Sequence, residues 1–219
     1  MTRKPNIKIK TNRGMTYVEL IVVLSIFAVL SSVAIFNYGS FQDKVDIKNL
    51  GSDIALKILE AQKSSLSGLF PPQLLVSPLT WKPSYGVYFW NGSGASQGAD
   101  SKNFIYFSDL DYSVPSQNGL FDDSDCMGEC INKVTISKNN IISKLEVVPT
   151  STSCTGTVTG NSVTNLNIVF KRPNSGVMVS SSGAGVPPGT FNCVQITVSS
   201  PKFNTSVIKV FPSGRIEVK

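Results

Sequence analysis

A basic leader ending in glycine runs straight into a membrane-grade apolar segment that carries one acid at its threshold. Arg13–Gly14–Met15–Thr16–Tyr17–Val18–Glu19–Leu20 open a stretch that is otherwise apolar to about Phe36. About 20 residues cross a bilayer as a helix. The run is slightly short, but Met15, Thr16 and Tyr17 extend it at one end and Asn37–Tyr38 supply an interfacial tyrosine at the other. A membrane span over about residues 17–38 is therefore expected. A carboxylate inside such a segment costs about 2.5–3.5 kcal/mol on insertion scales, so Glu19 calls for a partner.

The charge balance follows from the same feature. The chain has a formal charge of +6, yet Arg3, Lys4, Lys8, Lys10 and Arg13 all lie in the leader, which has no acid. Without those five the remainder is near +1, so the global basicity is a topology signal that holds the leader in the cytoplasm. An ordinary secretory signal cuts after its apolar region; Ser31–Ser32–Val33–Ala34 passes only as a weak site of that kind.

Helical periodicity continues past the membrane segment. Ile47, Leu50, Ile54, Ile58 and Ala61 recur three or four apart and make one apolar face. Gly51 interrupts it at a cost of about 1 kcal/mol relative to Ala, and Gly68 with Pro71–Pro72 ends it. One helix from Met15 to about Ser67 is expected, with a break near Asn37–Gly39 as the alternative. After Pro72 the texture changes to short β-prone runs between Gly, Asn, Ser and Pro clusters. Strands are expected at Tyr85–Trp90, Asn103–Phe107, Lys133–Ile136, Ile141–Val148, Asn165–Lys171, Cys193–Ser199, Ser206–Phe211 and Arg215–Val218, with a tight turn over Phe211–Gly214. The expected fold is α+β: leader 1–14, helix 15–69, and a β-rich domain 70–219 in which an antiparallel sandwich lies on the amphipathic half of the helix.

Four coinciding features, the basic leader, Gly14, the hydrophobic Met15 and Glu19 as fifth residue after the glycine, resemble the class III signal of type IV prepilins and type II secretion pseudopilins. The resemblance implies cleavage between Gly14 and Met15 by a prepilin peptidase, N-methylation of Met15, and a structural rather than enzymatic role. It implies a cytoplasmic-membrane protein with its C-terminal domain outside the cytoplasm, later drawn by an inner-membrane assembly platform into a periplasmic or extracellular filament of pilin-like subunits. There the Glu19 carboxylate would pair with the Met15 amine of a neighbouring subunit; the plain alternative is an interfacial acid reaching headgroups. Many pilins have a proline where this chain has Phe36, so no proline kink is expected. Val207–Ile208–Lys209–Val210 and Gly214–Arg215–Ile216 also resemble the end of FimT/GspH-type minor pseudopilins, a group that includes DNA-uptake pilins.

Cys126, Cys130, Cys154 and Cys193 all follow the anchor, on the side where disulfides persist. Four cysteines allow three pairings; Cys126–Cys130 and Cys154–Cys193 are preferred, against a four-thiolate zinc site whose usual close couples are missing. Between Phe107 and Lys133 the acids Asp109, Asp111, Asp122, Asp123, Asp125 and Glu129 meet no basic residue. Clustered carboxylates suit calcium, which some major pseudopilins hold in a late loop, but EF-hand spacing is absent and a solvated acidic loop is the simpler expectation. From Lys133 onward nine basic residues face Glu146 and Glu217. Lys171–Arg172, Lys209, Arg215 and Lys219 form the cluster that would touch phosphates in a DNA-binding minor pilin, the alternative function. The chain has no histidine, which removes the commonest general base. No nucleotide, zinc-protease or nucleophile-elbow motif occurs; Ser180–Gly185 with Pro187–Pro188 lacks a P-loop lysine and reads as a flexible loop.

Overall fold

The structure, a computed structural model, describes residues 14–70, 83–92, 96–110, 118–123, 126, 128–156, 158–173, 176–181 and 190–219. The leader up to Arg13, Pro71–Pro72, Asp111, Asp125 and most of the Ser180–Pro188 loop lie outside these. Among the described residues one helix, α1 (Tyr17–Ser67), precedes ten strands: β1 (Ser84–Trp90), β2 (Asn103–Asp109), β3 (Cys130–Thr135), β4 (Ile141–Pro149), β5 (Asn161–Ser162), β6 (Asn165–Phe170), β7 (Val177–Ser180), β8 (Phe191–Ser199), β9 (Thr205–Val210) and β10 (Ile216–Val218). The fold is α+β. The chain divides into two units, one ending at Gln42 and one spanning Asp43–Lys219.

In the first unit α1 begins where Thr16 Oγ1 accepts the Glu19 N–H at 3.3 Å. This is an N-cap, and Glu19 three residues on completes the sequence pattern of a capping box. Its charge also suits the positive end of the helix dipole. The apolar side chains that follow are exposed, and α1 is long and apolar enough to cross a membrane by length and composition. No break occurs at Asn37–Gly39.

In the second unit the same helix turns its periodic face inward. Ile47, Ile54, Ile58 and Ala61 join one core with Tyr85, Val87 and Phe89 of β1, Leu145 of β4, and Ile196 and Ile208 of β8 and β9. Burying each isoleucine contributes about 2 kcal/mol. The helix then stops at Gly68, whose φ is +63°. Gly68 N–H donates to Ser65 O and Leu69 N–H to Ser64 O, the paired bonds of a Schellman cap, for which glycine supplies the left-handed residue. Tyr106 Oη bonds Ser64 Oγ at 2.9 Å, Ser65 Oγ donates to Phe170 O at 2.7 Å and Tyr85 Oη donates to Leu69 O at 2.8 Å. The helix end is thus tied to sheet 1 by hydroxyls that would otherwise be buried alone.

Two five-stranded sheets, all of whose pairings are antiparallel, form the rest: sheet 1 in the order β3-β2-β1-β6-β7, sheet 2 in the order β10-β9-β8-β4-β5. Eight strands match expected runs with small shifts: Ile136, Lys171, Phe211 and Arg215 fall just outside them. Strands β5 and β7 were not expected. Asn161–Ser162 is polar and only two residues long, and Val177–Ser180 is four residues bordered by Gly and Ser, so pairing with β4 and β6, not local pattern, makes them strands. Ser180 accordingly ends a strand instead of opening a loop.

Candidate assembly and processing site

The residues singled out at the head of the chain lie together. Gly14 and Met15 are exposed and non-helical, immediately before the cap, and nothing stands within 4 Å of where a Cβ on Gly14 would be. Among the described residues nothing therefore crowds Gly14 next to the Gly14–Met15 bond. Glu19 is exposed in the first turn of α1. The next charged residue along the helix is Asp43, so an uncharged apolar surface separates the two acids. Thr16 is the cap itself, a role the sequence reading missed although Thr-x-x-Glu is the spacing of a capping box.

The cysteines form Cys126–Cys130 and Cys154–Cys193, which leaves no thiolate for zinc at these positions. The first closes the loop between β2 and β3. The second ties the segment after β4 to β8. Over that segment several side chains from sheet 2 reach outward. Lys209 Nζ donates to Cys154 O at 3.0 Å and Gly156 O at 2.6 Å. Gln195 Nε2 donates to Val158 O, Asn192 Nδ2 to Thr152 O, and Glu146 Oε1 accepts the Gly160 N–H. An irregular strap crossing the sheet thereby has its backbone groups satisfied.

Lys209 was counted among the phosphate-facing residues, and its position corrects that. It is 1% exposed, and burial, with Lys219 nearby, pushes its pKa below the ordinary lysine value despite Glu217. Arg215 also has local partners: its guanidinium lies 4.0 Å from the Phe211 ring centre and pairs with Glu217 at 3.2 Å. Arg215 nonetheless stays exposed; sequence could not tell Lys209 from such a solvent-facing cation, because charge type says nothing about which side of a strand meets a covering loop.

The acidic segment uses its carboxylates on backbone. Asp109 is fully buried and its Oδ2 accepts the Gly119 N–H at 2.9 Å. Glu129 accepts the N–H groups of Leu110 and Asp122 at 2.9 and 3.0 Å, and Asp123 that of Gly128 at 2.8 Å. Asp122 accepts from Asn118 Nδ2 at 2.7 Å. These bonds fold the loop so that its Phe121 packs on Tyr88 and Phe107 on the outer side of sheet 1. Among the described residues no three metal-donor side chains converge. The solvated loop of the sequence reading is thus corrected at Asp109: buried, hydrogen-bonded carboxylates organise this turn.

At the other end of the second unit, Asp43 Oδ2 accepts from Ser200 Oγ at 2.7 Å and from Asn204 Nδ2. These bonds favour the ionised form and hold the Asp43 pKa below the usual carboxylate value. Lys138 pairs with Asp46 at 2.7 Å on the next turn of the helix. Comparison with protein-family models, curated proteins and solved structures returns no match.

Proposed function

We propose that this chain is a structural subunit, a minor pilin or pseudopilin, of a type IV pilus or type II secretion filament. The supporting observation is the conjunction at the start of α1: an exposed Gly14–Met15 pair, a capped helix, one exposed carboxylate in its first turn and then an exposed apolar surface on the same continuous helix that enters the globular core. A helix of this kind has no use for its apolar half in water. In a bilayer that half anchors the subunit with the disulfide-bonded domain outside the cytoplasm; in a filament it bundles with its copies. Cleavage after Gly14 frees the Met15 amine. In a bundle that amine offsets the desolvation of a neighbour's Glu19 and sets axial register, since an unpaired buried charge is strongly penalised.

Co-expression with a prepilin peptidase tests this by intact mass. The product begins at Met15 and carries a methyl group. An unprocessed chain, or a cut after Ala34, overturns the reading. Glu19→Val then separates anchoring from assembly: the variant inserts into membrane as well as the parent but fails to enter filaments.

A further inference from the structure

Two hairpins of sheet 2 close with the same hydrogen-bond pattern and different residues at the critical position. In the β9–β10 turn, Phe211 N–H donates to Arg215 O at 2.9 Å and Gly214 N–H to Phe211 O at 2.8 Å. The left-handed residue there is Gly214, at φ +83°. In the β8–β9 turn, Ser200 N–H donates to Asn204 O at 2.9 Å and Phe203 N–H to Ser200 O at 3.0 Å. The left-handed residue is now Phe203, at φ +63°. Glycine ordinarily fills this position, because a side chain there meets the backbone. A bulky residue at positive φ is an outlier, and such outliers collect at functional segments. Phe203 is 91% exposed, so burial in the chain's own core offers no compensation.

The place of this tip in the chain says what it meets. Asp43, the first residue of the globular unit, holds both ends of the turn through Ser200 and Asn204. Phe36, the end of the apolar run, is seven residues earlier. Even fully extended, seven residues reach about 25 Å, so the chain itself tethers the Asp43 end of this turn to the apolar run. The surroundings are basic. Lys202 is in the tip, Lys44 and Lys48 are on the adjoining turns of α1, and Lys138 is in the β3–β4 turn that pairs with Asp46. Four lysines thus stand with two carboxylates; Lys138 pairs with Asp46 and Lys202 acts on Asp43, which leaves a net positive balance.

We propose that the Pro201–Phe203 tip is a second membrane contact, with Phe203 entering the headgroup layer of an anionic leaflet and Lys202 beside the phosphates. Aromatic rings favour that layer, and basic side chains near it gain from anionic lipid. The proposal rests on the reading of α1 as a membrane anchor. Its consequence is a globular domain held against the bilayer at two points before extraction into a filament.

The test uses the full chain in vesicles of mixed zwitterionic and anionic lipid, at low protein density. Phe203→Trp adds emission over the parent, which has Trp81 and Trp90. The added emission is expected at shorter wavelength than in detergent, and quenched by lipids brominated near the headgroup end of their chains. Lys202→Glu placed in the same background reduces the quenching. Phe203→Gly, which restores the ordinary residue, melts at the same temperature as the parent or higher. A chain that floats with vesicles but shows unquenched, water-like added emission overturns the tip contact and leaves the anchor standing. A chain that does not float overturns both. A blue shift found only at high protein density assigns Phe203 to a second copy, and a lower melting temperature for Phe203→Gly assigns it to the fold; either result overturns the proposal.

Discussion

Replacing Gly51 by alanine asks whether helix propensity or packing governs the middle of α1. By propensity alone the change stabilises the chain by about 1 kcal/mol. The structure opposes that gain. A Cβ on Gly51 would stand 2.5 Å from Ser206 Oγ, 3.1 Å from Val218 Cγ1 and 3.3 Å from Ser206 Cβ. Ser206 is buried, and its hydroxyl donates to Lys219 O at 2.9 Å, closing the chain terminus onto β9. Relieving the contact means rotating that hydroxyl away, at about 1 kcal/mol for the lost bond. Displacing the helix or the sheet instead costs the usual overpacking penalty of about 1–3 kcal/mol. Against the propensity gain, Gly51→Ala is expected to leave a net destabilisation of about 0–2 kcal/mol. Ser206→Ala alone costs about 1 kcal/mol. The double variant removes the oxygen that the new methyl meets, so it is expected close to the parent, with a coupling of about 1–3 kcal/mol in favour of the pair. Urea unfolding of the fragment from Tyr38 onward, disulfides intact, followed by far-ultraviolet circular dichroism, measures all four corners of the cycle. A stabilising Gly51→Ala, or additive effects, would refute the close approach of helix to β9.

Two further outcomes follow from the buried polar groups. Lys209→Met keeps the aliphatic stem but leaves the Cys154 carbonyl without its donor, so it is expected to destabilise by about 1–2 kcal/mol; Lys171→Met, at the end of β6, is expected within about 0.5 kcal/mol of the parent in the same melts. Burial raises the pKa of Tyr85, Tyr88 and Tyr106 above the ordinary value of 10.0. Their contribution is complete below pH 10.0 and declines as pH rises beyond it, because the unfolded chain loses these protons first. Lys209, whose pKa is lowered, acts in the reverse sense, but one group opposes three. The urea midpoint is therefore expected to fall above pH 10.0. Tyr85→Phe flattens the decline by up to about 1.4 kcal/mol per pH unit; an unchanged slope would show that Tyr85 is solvated.

Local pattern alone determined a large part of this protein. The apolar run with one acid, the three-and-four spacing of Ile47, Ile54, Ile58 and Ala61, and the stop at Gly68 depend on interactions within a few residues, and each is visible as composition and period. The alternation of the longer strands is local in the same sense. Tertiary structure decided what depends on residues distant in sequence. Strands β5 and β7 exist because β4 and β6 offer them hydrogen-bond partners. Gly51, a defect by propensity, is the point where the helix backbone approaches Ser206, 155 positions later. Lys209 and Asp109, a surface cation and a loop acid by type, are buried on opposite sheets because backbone groups of crossing loops need their charges as partners. Phe203 shows the converse: its identity promises burial, and only the left-handed turn tied to Asp43 holds it out in solvent. Short-range sterics and periodicity are written in neighbouring residues; pairing, close approach and the satisfaction of buried polar groups come into being only when distant segments meet.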